Sequence, residues 1–353
     1  MPDVDAPDGA ADQPPVDPVT TPDTPPDGPD PTPPPAPDDG AGKLSVKLLV
    51  VALLGQLVLF GGLIALTLHG FPFLGGADHV VKQGPTRRGS VPVPNVNRFD
   101  GARAMATARM QVDAGQRPAG SPVLRRVGEQ LRAALPDGHF EPVPAHPGLR
   151  NIVGELPGPG PVIVIAAHYD SEYHPKGFVG ANDAAAAVGA VVELSRALAK
   201  LPRTAVSPGI RFVLFDGEEE PAPTEDFYRD ALRGSKAYVQ LHAEEVGALL
   251  LLDYIGNKGV RMPREESSTA SLWDEVRSAA RKVGVGDVFP AGTSVGILDD
   301  HTPFLRAGIR AVDFIDWSYR YKDTVQDTYD KLSADSVDAV GETIVQLIKD
   351  WPA

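Results

Sequence analysis

A histidine and several carboxylates stand at the ends of apolar runs in this sequence. PVIVIAAHYD at 161–170 is apolar and rich in β-branched residues as far as Ala167, then ends in His168 and Asp170. FVLFDGEEE at 212–220 ends in the adjacent pair Glu218 and Glu219, ALLLLD at 248–253 ends in Asp253, and GILDDHTPFL at 296–305 carries Asp299, Asp300 and His301. Asp183 lies in a glycine-bounded loop ahead of an alanine-rich stretch. An apolar run of this kind is the pattern of a parallel strand buried on both faces, and ligands of open α/β sheets bind outside the carboxyl ends of the strands. Singly, each acid has an ordinary role as a helix cap or part of a solvated turn. Brought to one sheet edge, they form an oxygen-rich donor set with an imidazole, which suits zinc or a similar divalent ion. Asp183 is expected at the mouth of the following helix, its carboxylate oriented by the N-terminal amides. Glu218 and Glu219 are expected to point to opposite sides, one toward a metal and the other toward substrate as a base.

Positioning these residues calls for strands that alternate with helices. Short apolar runs at 151–156, 162–167, 210–215, 248–253 and 311–315 read as strands, and helical patterns occupy 99–111, 122–135, 183–201, 229–245, 272–283 and about 333–348. The alternation predicts an α/β fold: a single-domain three-layer sandwich whose mostly parallel central sheet is covered on both faces. Residues 98–353 suffice for one such domain. The sequence has no glycine-rich phosphate loop, internal repeat or basic patch, so a nucleic-acid partner is not expected.

The net charge of −14 is unevenly distributed. Residues 1–42 hold ten aspartates, fourteen prolines and no Lys, Arg or Glu, the composition of a disordered acidic tail. Within a segment 43–69, the stretch 48–68 is uncharged over 21 residues. At about 1.5 Å per residue it is long enough to cross the hydrocarbon core, so it reads as a transmembrane anchor. Lys43 and Lys47 flank its N-terminal end, which places the tail inside and the large domain outside the cytoplasm as a single-pass cell-membrane protein. Residues 70–97, punctuated by Gly and Pro, read as a juxtamembrane linker, and the absence of cysteine means that an external domain would manage without disulfides.

Several segments resemble the glutaminyl cyclases, which share a fold with the zinc aminopeptidases of metallopeptidase family 28. They are HYDS at 168–171, FVGANDAA at 178–185, ELSRAL at 193–198, LFDGEE at 214–219, RGSKAYV at 233–239, LLLLDYIG at 249–256 and DDHTPFL at 299–305. The resemblance covers nearly all of 151–347 in the right order and implies a zinc-exopeptidase-like fold. It implies that Asp183 and Glu219 bind zinc and that Glu218 is the acid/base. His168 and Asp253 match the residues that hold a second zinc in two-metal aminopeptidases, and Asp299 matches an aspartate that in cyclases hydrogen-bonds with the counterparts of Glu218 and Asp253. DGEE, DDHTPFL and the extended segment between Glu220 and Gly234 are more like the cyclases than the aminopeptidases.

One position departs from the family. Its last zinc ligand is a histidine in an HTxxDT-like stretch, whereas 321–330 reads YKDTVQDTYD with Asp323 at that place, and no histidine follows His301. The implied cofactor is zinc, one ion or two, held by Asp183, Glu219, Asp323 and His168. With Asp323 in the shell, preference moves toward harder ions such as manganese or magnesium. The implied substrates are peptide N-termini. Cyclisation of an N-terminal glutamine is the first reading, aminopeptidase hydrolysis the second, and a binding domain that has lost its metal the third.

Overall fold

The structure, a computed structural model, describes residues 90–352. The acidic tail, the apolar run 48–68 and most of the expected linker lie outside these residues, and among the described residues no helix is long and apolar enough to cross a membrane.

One sheet of six strands carries the domain, in the order β1-β2-β4-β3-β5-β6. The strands are β1 (His139–Pro142), β2 (Arg150–Leu156), β3 (Val162–His168), β4 (Ile210–Phe215), β5 (Val246–Leu252) and β6 (Arg310–Phe314). β3, β4, β5 and β6 run parallel, while β2 is antiparallel to both β4 and β1. The mostly parallel sheet is therefore present, with an antiparallel edge that the apolar pattern does not distinguish. Its cause is the short link from β2 to β3 across the end of β4: 157–161 cannot return the chain to the start of a parallel strand, which takes a crossover of about a dozen residues or more. β1 is a strand the sequence reading lacks. HFEP has no apolar alternation, and β1 forms by pairing with β2 at the sheet edge, Phe140 opposite Ile152.

Alternating side chains along the central strands feed two cores. Ile163, Ile165 and Ala167 of β3 and Leu250 and Leu252 of β5 face one side. There they meet helices α1 (Gly101–Asp113), α2 (Pro122–Ala134), α3 (Ala186–Ala199), α6 (Ala270–Lys282) and α8 (Ala334–Lys349), through residues such as Ala108, Leu131, Val191, Val276 and Ile344. Val164, Ala166, Leu249 and Leu251 face the other side, against Tyr238 of α5 (Arg233–His242) and Phe304 of α7 (His301–Arg306). Each fully buried aliphatic side chain contributes about 1.5–3 kcal/mol. This double coverage makes the three layers and holds the carboxyl ends of β3, β4 and β5 in a fixed frame. Before α1 the chain is already packed: Val91 is buried, Asn95 donates its amide to the Val283 carbonyl, and Phe99 donates its amide to Glu342.

Two expected helices differ. The one beginning at Asp183 starts only at Ala186, because Ala181–Ala185 form a wider turn in which Asp183 is extended (φ −112°, ψ 89°). The one expected over 229–245 is divided into α4 (Phe227–Asp230) and α5 by Leu232, whose φ is +54°. The break has a use: the amides of Leu232 and Arg233 turn away to the carbonyls of Glu218 (2.9 Å) and Gly217 (2.8 Å), tying down the glutamate loop.

Candidate active site

The strand ends deliver the acids to one cavity of about 600 Å³, lined by His168, Asp183, Glu218, Glu219, Asp253, Asp299 and Asp323 among others. After β4 the chain reverses at Gly217, whose φ of +81° suits glycine, and the next two amides, of Glu218 and Glu219, donate to the Asp170 carboxylate at 3.2 and 3.3 Å. Asp170 is fully buried and is a scaffold for the glutamates rather than a wall of the cavity. Arg233 completes the clamp through its guanidinium, which donates to the carbonyls of Gly217 (3.2 Å) and Glu219 (2.7 Å).

The loop that presents Asp183 is held without help from the α3 amides, contrary to the expected helix-mouth arrangement. α3 has no side-chain cap, and Asp327 accepts the amides of Asn182 (3.0 Å) and Asp183 (3.1 Å). Beneath the loop, fully buried Arg117 donates to the carbonyls of Val179 and Gly180. The Asp183 carboxylate is left free to face the cavity. One oxygen lies 3.0 Å from His168 Nε2 and the other accepts the Tyr254 hydroxyl at 2.6 Å.

Three overlapping groups of donor atoms result, each with its members within 4.8 Å of one another: His168, Glu218 and Glu219; His168, Asp183 and Asp253; Glu172, Asp183 and Asp323. The first group corrects the expectation that the two glutamates point to opposite sides, since both bring an oxygen near the same imidazole. Asp323, exposed and at φ +56°, reaches the site with its carboxylate 3.0 Å from the Tyr254 hydroxyl, which links it to Asp183. Asp299 lines the cavity, but Asp300 and His301 do not. His301 is buried behind it, with Nε2 2.7 Å from Ser267 Oγ and 3.2 Å from Glu265. Sequence reasoning missed Glu172, Tyr254, Asp327 and Arg117. Glu172 and Tyr254 immediately follow motif residues, yet neither periodicity nor strand-end position marks them.

Crowded burial of like charges governs the electrostatics. Burial pushes Glu218 well above the carboxylate range against the pull of His168, and Asp299 and Asp300 push the same way. Glu219 is raised by burial and then by Asp183 and Glu218. Burial raises Asp253 and Asp299, and Glu172 is pushed up to about 8 by burial, Asp183 and Asp323. Burial would lower His168, but contacts to Asp170, Asp183 and Asp253 outweigh it and hold the imidazolium well above its usual range. Buried carboxylates in this number call for cations. Glu219 Oε1, His168 Nδ1 and Asp299 Oδ2 are buried without hydrogen-bond partners. An imidazole, several carboxylates and a donor atom left unpaired together fit a divalent metal such as zinc.

Residues 151–348 match peptidase family M28. A glutaminyl-peptide cyclotransferase of Bothrops jararaca is 25% identical over 232 residues, which span 54% of this chain and 61% of that protein, so less than two thirds of the relative's length is covered. Among solved structures, a glutaminyl cyclase of Porphyromonas gingivalis has a TM-score of 0.64 at 26% identity, covering 72% of this chain and 99% of that one. A leucine aminopeptidase precursor of Bacteroides thetaiotaomicron has a TM-score of 0.65 at 26% identity, covering 74% of this chain and 100% of that one.

Proposed function

Because this chain belongs to peptidase family M28, we propose that it is a metal-dependent enzyme of peptide N-termini whose reaction is cyclisation of an N-terminal glutamine with release of ammonia. The observation that carries this reading is Glu218. It is a buried carboxyl group of raised proton affinity on the cavity wall, with Asp253 and Asp299 in the same lining. Cyclisation consumes no water. It needs one group that takes a proton from the attacking α-amine and returns it to the departing ammonia, and a carboxyl whose proton affinity is raised by burial suits both halves. A zinc ion held by Asp183 and Glu219, with His168 and Asp323 as further donors, would supply a Lewis acid that polarises the side-chain carbonyl under attack. Asp170 and Arg233 fix the backbone of Glu218, so the base stays in place through both transfers.

A second reading, aminopeptidase hydrolysis, is favoured by the grouping of His168, Asp183 and Asp253, a donor set for a second ion. The test is to incubate the zinc-loaded protein with glutamine-initiated peptides and with aminoacyl amides side by side. Ammonia release with an intact but N-terminally blocked peptide supports cyclisation. Release of the free N-terminal amino acid sinks that reading in favour of the second.

A further inference from the structure

Among the described residues, no Lys or Arg forms an ion pair with the carboxylates toward the mouth of the cavity. Glu172 and Glu220 are half-buried and Asp323 is exposed, whereas Asp183, Glu218 and Glu219 are buried deeper in. Eight carboxylate side chains and two histidines line the cavity, with neither Lys nor Arg among them. Once these carboxyl groups ionise, one divalent ion on the floor balances only part of their charge. Arg117 sits beneath the Asp183 loop and is taken up by backbone carbonyls, and Lys322 lies over the Trp317 ring with its ammonium 3.4 Å from the Trp317 carbonyl. Those arginines and lysines among the described residues that do form ion pairs form them elsewhere. The same wall carries aromatic surface: Tyr173 is 56% exposed and its ring meets that of His174 in a T-shaped contact at 4.8 Å.

We propose that the mouth of this cavity selects peptides whose second residue is Lys or Arg, with that cation seated against Glu172, Glu220 and the Tyr173 ring. The inference rests on the proposed reaction only in placing the first residue beside Glu218, which leaves the second at the mouth. A guanidinium there gains attraction from carboxylates that pair with no Lys or Arg and from the exposed Tyr173 ring, while a carboxylate meets like charge. Because the mouth is partly solvated, salt must weaken the discrimination.

The test compares Gln-Arg, Gln-Ala and Gln-Glu peptides on the zinc-loaded full chain. kcat/KM for Arg over Glu should be about tenfold at low ionic strength and shrink in about 0.5 M salt. Glu172→Gln with Glu220→Gln should bring the ratio toward one. Glu220→Gln alone, at a half-buried position, should lower it part of the way and guards against misfolding of the double variant. Calorimetric Kd values for the same peptides on the Glu218→Gln protein provide a reading independent of turnover. Binding in the order Arg, Ala, Glu without any turnover would uphold this inference and sink the proposed reaction. Equal Kd and kcat/KM for Arg and Glu, or a ratio unmoved by both variants, would overturn the inference.

Discussion

Glu218 and Glu219 hang from one clamped backbone segment, and their surroundings divide their tasks. Both lie near His168, but Glu218 is also near Asp299 and Asp300, whereas Glu219 is near Asp183 and has an oxygen without a hydrogen-bond partner. Glu218→Gln should lower kcat about a hundredfold to ten-thousandfold with zinc still bound, because the amide keeps the shape and loses the proton acceptor. Glu219→Gln should release zinc as well, and metal analysis beside kinetics separates the two. Normal turnover by the Glu218 variant would refute this division. Asp323 stands where the resemblance to the cyclases leads to the expectation of a histidine. A third carboxylate beside Asp183 and Glu219 adds negative charge and hard oxygen to the donor set, which weakens preference for zinc. Asp323→His should raise zinc affinity in a competitive chelator titration. If Asp323→Ala instead binds zinc as tightly as the parent, Asp323 is not a ligand.

Glycine decides where an element can present a ligand. Gly180 has φ +50°, and a Cβ there would lie 1.9 Å from the Asp183 carbonyl oxygen. Gly160, at φ +72°, has nothing within 4 Å of its hypothetical Cβ. Gly160→Ala should therefore cost only the left-handed backbone penalty of about 1–2 kcal/mol and leave zinc affinity unchanged. Gly180→Ala must move the Asp183 loop and should cost zinc affinity as well as stability, measured by metal titration beside thermal unfolding. Equal zinc affinity in the two variants would mean that the loop is softer than its contacts imply. The same distinction between local and tertiary causes explains what the sequence reveals. β4 at Ile210–Phe215 was legible to the residue, since burial on both faces demands an apolar run, broken here only by half-buried Arg211. β1 was illegible because its pairing with β2, not its own pattern, makes it a strand. Glu218 and Asp253 were legible as acids just beyond strand ends, whereas Asp183 lies in the turn ahead of α3 and not at its mouth. The support given by Arg117 and Asp327 was not legible, because it arises from contacts 62 to 145 residues apart in sequence.

At the scale of the molecule, charge separates an acidic N-terminal arm from a domain with a crowded acidic cavity. The apolar run and Lys43 and Lys47 lead to the expectation that protease added to intact cells removes the domain. Survival of the domain would reverse that orientation. The cavity and its surroundings set how stability depends on pH. Folding raises Glu172 from 4.5 to about 8, Asp216 from 3.8 to about 7, and Asp327 and Asp338 from 3.8 to about 6. Between about pH 4 and 8 the folded metal-free protein thus holds protons that the unfolded chain has released, so its stability falls as pH rises through this window. Raised His168 acts in the same direction, since its favourable contacts are lost on deprotonation. Glu265 opposes them only at lower pH: held at about 2, chiefly by its bond to His301 against the cost of burial, it adds stability as pH climbs from there toward 4.5. The metal-free protein should therefore have a Tm that declines from pH 5 toward pH 8. Zinc neutralises repelling carboxylates and must compete with their protons, so it should raise Tm more at pH 8 than at pH 5. Differential scanning fluorimetry across that range, with and without zinc, checks both parts. A metal-free Tm that climbs steadily from pH 5 to 8 would show that these carboxylates are ionised and compensated within the fold, and would remove the electrostatic case for a cation in the cavity.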